Sequence, residues 1–311
     1  MSPSSAGQAP LPSFLVIGAE RSATRWLRFN LDRHPEVFSP PVEINWFSDA
    51  EMMRARGRRW YQSQFDAWEG EPVLGESSAR YLKLASSPDQ VAARIQRSIP
   101  DVRLVAILRQ PVDRLESAVR MYVKQGRLAA DVDVYDLICR NDPIVAELDL
   151  IGAGLYASCL YPFLQTFGEQ LLVLDHADIG RKPHEVYASV LRHLDADPTF
   201  VPPDLDRVRF SDRPTVSVPE LDDEQRRIVY TAFRLDVEEL EAQIGRDLSA
   251  WDPGPPPFDR RAEADAVLAA VPFTGPAPEP GETGPVDDDD DDDDVVDAAD
   301  VPPITRSAVA P

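Results

Sequence analysis

Short apolar runs alternate along the chain with longer stretches whose apolar positions recur at helical spacing, and this order predicts a parallel sheet covered by helices. Four runs read as strands: Phe14 to Ile17, Val73 to Glu76, Val102 to Leu108, and Leu171 to Asp175. The first is followed by Ala23, Leu27 and Leu31 at intervals of four, which predicts a helix directly after a small-residue turn. After the third, Pro111 takes a first-turn position, and Val112, Leu115, Val119 and Tyr122 form one stripe. A late helix is expected from Val229, Phe233, Val237, Leu240 and Ile244, stopped by Gly245. Parallel strands need right-handed crossovers, so any site belongs at their carboxyl ends. The segment from Asp131 to Leu155 reads as a cover over that edge.

The pattern stops near Trp251, which divides the chain into a short flexible N-terminus over 1–12, one folded domain over 13–252, and a tail over 253–311. The tail changes the reading of the charge. The 311-residue chain carries a net −22, but from Pro253 onward there are 15 acidic and 3 basic residues, a net of −12, which leaves −10 for residues 1–252. Rich in Pro, Gly and Ala and containing the run Asp287 to Asp294, the tail buries too little apolar surface to offset its ordering entropy and is expected to be disordered. It serves as a solvated extension, or contacts a basic partner, or shields a basic pocket. The acidic balance argues against nucleic acid as a partner. With neither a signal-peptide pattern in the first dozen residues nor a run of about 18 apolar residues, no integral membrane segment is expected and a cytoplasmic location is. Cys139 and Cys159 have no motif spacing and read as buried structural thiols.

Candidate chemistry starts with FLVIGAERSATRWL from Phe14 to Leu27, a strand entering a turn and then a helix, which is a favourable geometry for binding a phosphate. It is not a Walker loop, because the second glycine and the Lys-Ser pair that hold a magnesium-bound triphosphate are missing. Arg21 lies inside the turn, and Ser22 and Thr24 offer hydroxyls beside the helix amides. A second segment, VRLVAILRQPVDRLESAVRMY, ends a strand at Arg109 and places Ser117 eight residues later. Helical side chains lean toward the N-terminus, so Ser117 is able to point back at Arg109 and share an anion. Locally, an ion pair of Arg109 with Asp113 and a solvated Ser117 remain an alternative.

Together the two segments resemble sulfotransferases that use 3′-phosphoadenosine 5′-phosphosulfate (PAPS). That family has a 5′-phosphosulfate loop I-G-x-x-K-S-G-T-T-x-L and a 3′-phosphate element R-N-P-x-x-R-x-x-S. This chain reads IGAERSATRWL from Ile17 and RQPVDRLES from Arg109 to Ser117. The segments GESSARY from Gly75, Gly154 to Tyr156, Leu171 to Leu174 with Asp178, and Ile244 to Leu248 with Trp251 resemble it in the same order. The resemblance implies a P-loop-like parallel sheet in a three-layer α/β/α arrangement. It also implies PAPS as co-substrate with no metal, Arg21, Ser22, Ala23, Thr24 and Arg25 at the 5′ side, and Arg109 and Ser117 at the 3′ phosphate.

The acceptor class turns on the general base. Phenol and steroid sulfotransferases use a histidine upstream of the 3′-phosphate element, and none of His34, His176, His184 and His193 lies between residues 35 and 175; surface or helix-end positions are expected for them. The carbohydrate (heparan-sulfate-like) branch carries K-E-x-x-F-F, and VEINWF from Val42 to Phe47 is similar except at its first position, which implies Glu43 as base for sulfuryl transfer to a hydroxyl, or an amine, of a carbohydrate or glycolipid acceptor. Trp46, Arg80, Tyr81 and Lys83 are expected to flank the acceptor cleft, or to serve as rim packing. Two departures stand out: Arg21 replaces the loop lysine and Val42 replaces the lysine before the base. A non-catalytic PAPS-binding or regulatory protein is therefore the alternative. A P-loop small-molecule kinase is a third reading, opposed by the missing Gly-Lys-Ser.

Overall fold

The computed structural model describes residues 10–207 and 217–255. The acidic run from Asp287 to Asp294, with nearly all of the expected tail, lies outside the described residues. Five strands, β1 (Phe14–Gly18), β2 (Val37–Phe38), β3 (Val73–Ser77), β4 (Arg103–Leu108) and β5 (Leu171–Asp175), form one sheet in the order β2-β3-β1-β4-β5. Every pair is parallel. The helices are α1 (Thr24–Leu31), α2 (Ala50–Ser63), α3 (Pro88–Ser98), α4 (Pro111–Lys124), α5 (Val134–Cys139), α6 (Pro143–Glu147), α7 (Tyr156–Phe167), α8 (His176–Arg181), α9 (Pro183–His193), α10 (Asp223–Tyr230) and α11 (Arg234–Ile244).

Strand alternation builds two cores, one on each face of the sheet. Leu15 and Ile17 of β1 join Leu104, Ala106 and Leu108 of β4 on one face, under α3, α4, α7, α10 and α11. Phe14 and Val16 join Val105 and Ile107 on the other, under α1, α8 and α9. The result is a three-layer α/β/α unit with β1 at its centre. The four runs predicted as strands are β1, β3, β4 and β5, each within a residue of its expected bounds. The edge strand β2, two residues long, is too short to show any periodicity.

Two elements differ from the sequence reading. The late helix is two helices, α10 and α11, separated by a turn over 231–233 in which Phe233 is the N-cap of α11. The bend lets Val229 and Phe233 both be fully buried. The segment from Asp131 to Leu155 is more than a cover: it folds into α5, α6 and a 3-10 turn, and it contributes Val134, Ile138, Val145, Leu148 and Leu150 to the larger core.

Close packing of β1 against β3 depends on one glycine. Gly75 faces Phe14 in the β1–β3 register, and a Cβ at Gly75 would lie 2.2 Å from the Phe14 ring. Both sites are buried, so the ring has no solvent into which to move. Gly75→Ala is expected to lower the unfolding free energy by about 1–3 kcal/mol, as overpacking does. Urea denaturation reads this directly, and an unchanged midpoint would show that the ring yields without cost.

Candidate functional site at the carboxyl edge of the sheet

The turn after β1 is held from both sides. The Ala19 N–H donates to the Ile107 carbonyl of β4 at 2.8 Å, while a Cβ on Gly18 would lie 2.7 Å from the Leu82 Cβ. Arg21 and Ala23 have left-handed backbone, with φ of 66° and 69°, which curls the chain around Ser22 before α1 starts. Left-handed backbone costs an alanine roughly 1–2 kcal/mol, so the curl is imposed by the surroundings rather than by the residue. Ala23 is the N-cap of α1 and supplies no side-chain acceptor, which leaves the first helical amides available to an anion. Ser22 is fully buried, Thr24 nearly so, and Arg25 exposed on the first turn.

The second segment meets the first at this point. Arg21 Nε donates to Ser117 Oγ at 3.0 Å, and Arg109 Nη1 donates to the Arg21 carbonyl at 3.1 Å. Ser117 thus points back along α4 toward the strand end, as its place on the helix predicts. Asp113, the local alternative partner of Arg109, pairs instead with Arg226. Arg109 Nε is buried with no hydrogen bond among the described residues. Burial opposes the charge on Arg109, with the field of Asp113 working for it. A desolvated guanidinium with an unsatisfied N–H at the edge of a loop fits an anionic ligand. Burial pushes the Tyr156 phenol, which adjoins the Ser22 hydroxyl, up to about 12.

On the other side of α1 lies a cleft of about 270 Å³ lined by Arg25, Arg28, Pro41, Val42, Glu43 and Ser77. Glu43 is open to solvent through the mouth of the cleft, yet the surrounding walls desolvate its carboxyl and raise its pKa, against the opposing field of Arg28. Arg28 is lowered by the same burial, with Glu43 as its main supporting charge. Arg25, Arg28 and Glu43 therefore share one concave surface beside the loop. Val42 stands exposed at 46%, so no cation occupies the position before Glu43.

Several residues lie elsewhere than the sequence suggested. Trp46 and Tyr81 are buried in an aromatic cluster, Trp46 stacked on Tyr61 at 5.3 Å and Tyr81 edge-on to Phe47 at 5.8 Å, so they pack the core and do not rim the cleft. Arg80 is exposed. Lys83 is buried against the loop, where its Nζ lies 3.0 Å from Glu20 Oε2. That pair spans 63 positions and has no local signature. His34 is buried, with Nε2 3.0 Å from the Asp197 carbonyl and Nδ1 accepting from the Glu36 N–H, so it is a structural residue rather than a surface one. Cys159 is buried, but Cys139 is exposed at the end of α5, where the helix turns its last residue outward. Glu76, which the sequence offered only as part of GESSARY, is fully buried beneath the Glu43 segment. No group of three or more His, Cys, Asp or Glu among the described residues is placed to hold a metal ion. No helix among them is long and apolar enough to cross a membrane.

No family model matches the chain. It is 29% identical over 107 residues to the membrane-associated sulfotransferase kil1 of Dictyostelium discoideum, covering 33% of this chain and 21% of that protein. With heparan sulfate glucosamine 3-O-sulfotransferase 3B1 of Mus musculus it shares 27% identity over 176 residues, 55% of this chain and 43% of the relative. With the bifunctional heparan sulfate N-deacetylase/N-sulfotransferase 1 of Caenorhabditis briggsae it shares 27% over 235 residues, 67% of this chain and 25% of the relative. The chain thus spans less than half the length of these relatives. Among solved structures, a sulfotransferase from Alicyclobacillus acidocaldarius superposes with a TM-score of 0.66 at 27% identity, covering 78% of this chain and 99% of that one.

The edge also carries a titrating group. His176, at the start of α8, is pushed down to about 4 by burial and then by the Arg109 charge. The folded protein favours its neutral form. Its contribution is therefore fully present above the ordinary value of 6.5 and is lost as pH falls toward 4. At pH 5 the loss is at most about 2 kcal/mol. Urea titrations from pH 7.5 to 4.5 are expected to show a shallower fall in stability for His176→Gln than for the parent protein. Parallel curves would show that neither burial nor Arg109 depresses the His176 pKa.

Proposed function

We propose that this chain, which belongs to the sulfotransferase family, transfers a sulfuryl group from PAPS to a hydroxyl of a carbohydrate or glycolipid acceptor. The observation that carries the reading is the meeting of two anion-binding segments 88 to 96 residues apart in sequence, through Arg109 to the Arg21 carbonyl and Arg21 to Ser117. In this reading Arg21, Ser22, Ala23, Thr24 and Arg25 hold the 5′ side of the nucleotide, and Arg109 and Ser117 hold the 3′ phosphate. The buried, unsatisfied Arg109 Nε and the uncapped start of α1 fit such a ligand.

PAPS supplies an activated sulfuryl group whose departure leaves adenosine 3′,5′-bisphosphate. Glu43 takes the proton from the acceptor hydroxyl as the acceptor O–S bond forms. The S–O bond to the 5′-phosphate breaks, and its electron pair stays on the phosphate oxygen. Arg21 and the α1 amides stabilise the negative charge that develops there; an arginine supplies charge and a fork of donors but is a poor proton donor. Such an in-line transfer depends on positioning and charge more than on covalent catalysis. The relatives named for heparan sulfate support a glycan acceptor, and Arg25 and Arg28 beside Glu43 suit one bearing anionic groups.

Calorimetric titration with adenosine 3′,5′-bisphosphate, with ATP and magnesium as control, tests the nucleotide. Binding of the bisphosphate is expected, weakened about 10- to 100-fold in Arg109→Ala, as the loss of a charge-assisted hydrogen bond of about 1.5–3 kcal/mol implies. Preference for ATP would overturn the assignment. Glu43→Gln is expected to lower kcat by about 10²- to 10⁴-fold with unchanged bisphosphate affinity. Nucleotide binding with no transfer to any glycan in the parent protein would favour a non-catalytic binder, a reading that the replaced lysines at Arg21 and Val42 motivate.

The base must be ionised, so kcat is expected to fall as pH drops through the raised pKa of Glu43. Because Arg28 opposes that rise, Arg28→Gln is expected to move the acidic limb to higher pH. A limb that stays in place would separate Arg28 from the base.

A further inference from the structure

Glu76 is the penultimate residue of β3 and is fully buried. Its carboxylate accepts hydrogen bonds from Ser78 Oγ at 2.5 Å, Tyr81 OH at 2.6 Å and Tyr61 OH at 3.1 Å. Every one of these partners donates, so the ionised carboxylate is the form that this arrangement satisfies. Burial pushes its pKa up, and the three hydroxyls and the backbone of Ile44 pull it back. Two of the hydroxyls have a second task. Ser78 Oγ accepts the Asn45 N–H at 2.8 Å, and Tyr81 OH accepts the Phe47 N–H at 3.4 Å. Tyr61, the third donor, stacks on Trp46 and lies edge-on to Phe47 at 5.4 Å.

All of these contacts fall on Ile44 to Phe47, the segment that directly follows Glu43. That segment needs fixing, because Asn45 is left-handed at φ 57° and Glu43 and its two predecessors are exposed. A fully buried carboxylate is a costly way to fill a core, and apolar side chains of the same volume would often be as stable or more so. The geometry points to a positioning role: we propose that Glu76, through Ser78 and Tyr81, sets the place of Glu43 against the acceptor. The inference rests on the reading of Glu43 as the base.

The test measures bisphosphate release from PAPS, with a heparan sulfate oligosaccharide or water as acceptor, in Ser78→Ala, Glu76→Gln and Glu43→Gln and in the Ser78→Ala/Glu43→Gln double variant. Ser78→Ala removes the hydroxyl that bridges Glu76 and Asn45 while leaving Glu76 its two tyrosine donors, so it remains informative if Glu76→Gln fails to fold. Ser78→Ala is expected to lower kcat at least tenfold with bisphosphate Kd within twofold, and to speed hydrogen exchange at the Asn45 to Phe47 amides. Added to Glu43→Gln it should cost less than a further twofold, since a displaced base cannot be lost twice. A loss of packing alone would multiply with the Glu43 loss and would overturn the inference. So would full kcat in Ser78→Ala alongside a strongly impaired Glu43→Gln, an outcome that leaves the base reading intact. Full kcat in Glu43→Gln would overturn both.

Discussion

Parallel pairing of β1 between β3 and β4 is the constraint on which the site depends. Because the three strands run the same way, the chain emerges from Gly18, Ser77 and Leu108 at a single edge. The loop to α1, the 3-10 segment from Ala79 to Leu82 and the start of α4 are forced into contact there. Gly18 is pressed against Leu82, and the Ala19 amide is tied to Ile107. A strand order that did not place β1 beside β4 would separate Arg21 from Ser117 and leave two unrelated turns. The two apolar faces that flank β1 keep the strand in register, since a one-residue slip would exchange the two cores.

Charge at this edge is arranged by burial as much as by proximity. Arg109 is held in a poorly solvated position by its bond to the Arg21 carbonyl, with one N–H unsatisfied. Arg28 and Glu43 are both desolvated by the same cleft, and each is the other's main supporting charge. Lys83 and Glu20 neutralise one another beside the loop. The surface around the sheet edge is thus a cationic loop next to a cleft that holds one carboxylate of raised pKa. Below it, Glu76 joins the two halves, since Ser77 and Ser78 follow it toward the cleft while its carboxylate holds the segment after Glu43.

Local pattern carried the architecture well. Strands buried on both faces are continuous apolar runs, and the four longer ones were readable for that reason. Helix α4 was readable from Pro111 and its stripe, and the left turn at Gly245 from the absence of a Cβ. The two-residue strand β2 has no period to detect, and the break between α10 and α11 leaves the spacing of Val229 and Phe233 unchanged. Aromatic residues were misplaced because Trp46 and Tyr81 look alike on a rim and in a core; only their neighbours Tyr61, Phe47 and Glu76 decide between the two.

The residue order by itself determined the fold class, the turn after β1 and the types of side chain at both strand ends, because strands, turns and helix starts are set by contacts within a few residues. Only the tertiary structure decided which of those side chains meet. Arg21 with Ser117, Glu20 with Lys83, and Glu76 with Tyr61 and the Asn45 segment are partners across 15 to 96 positions. Their pairing depends on how the strands order in the sheet and on which carboxylates are shut away from water, and neither property is local to the residues concerned.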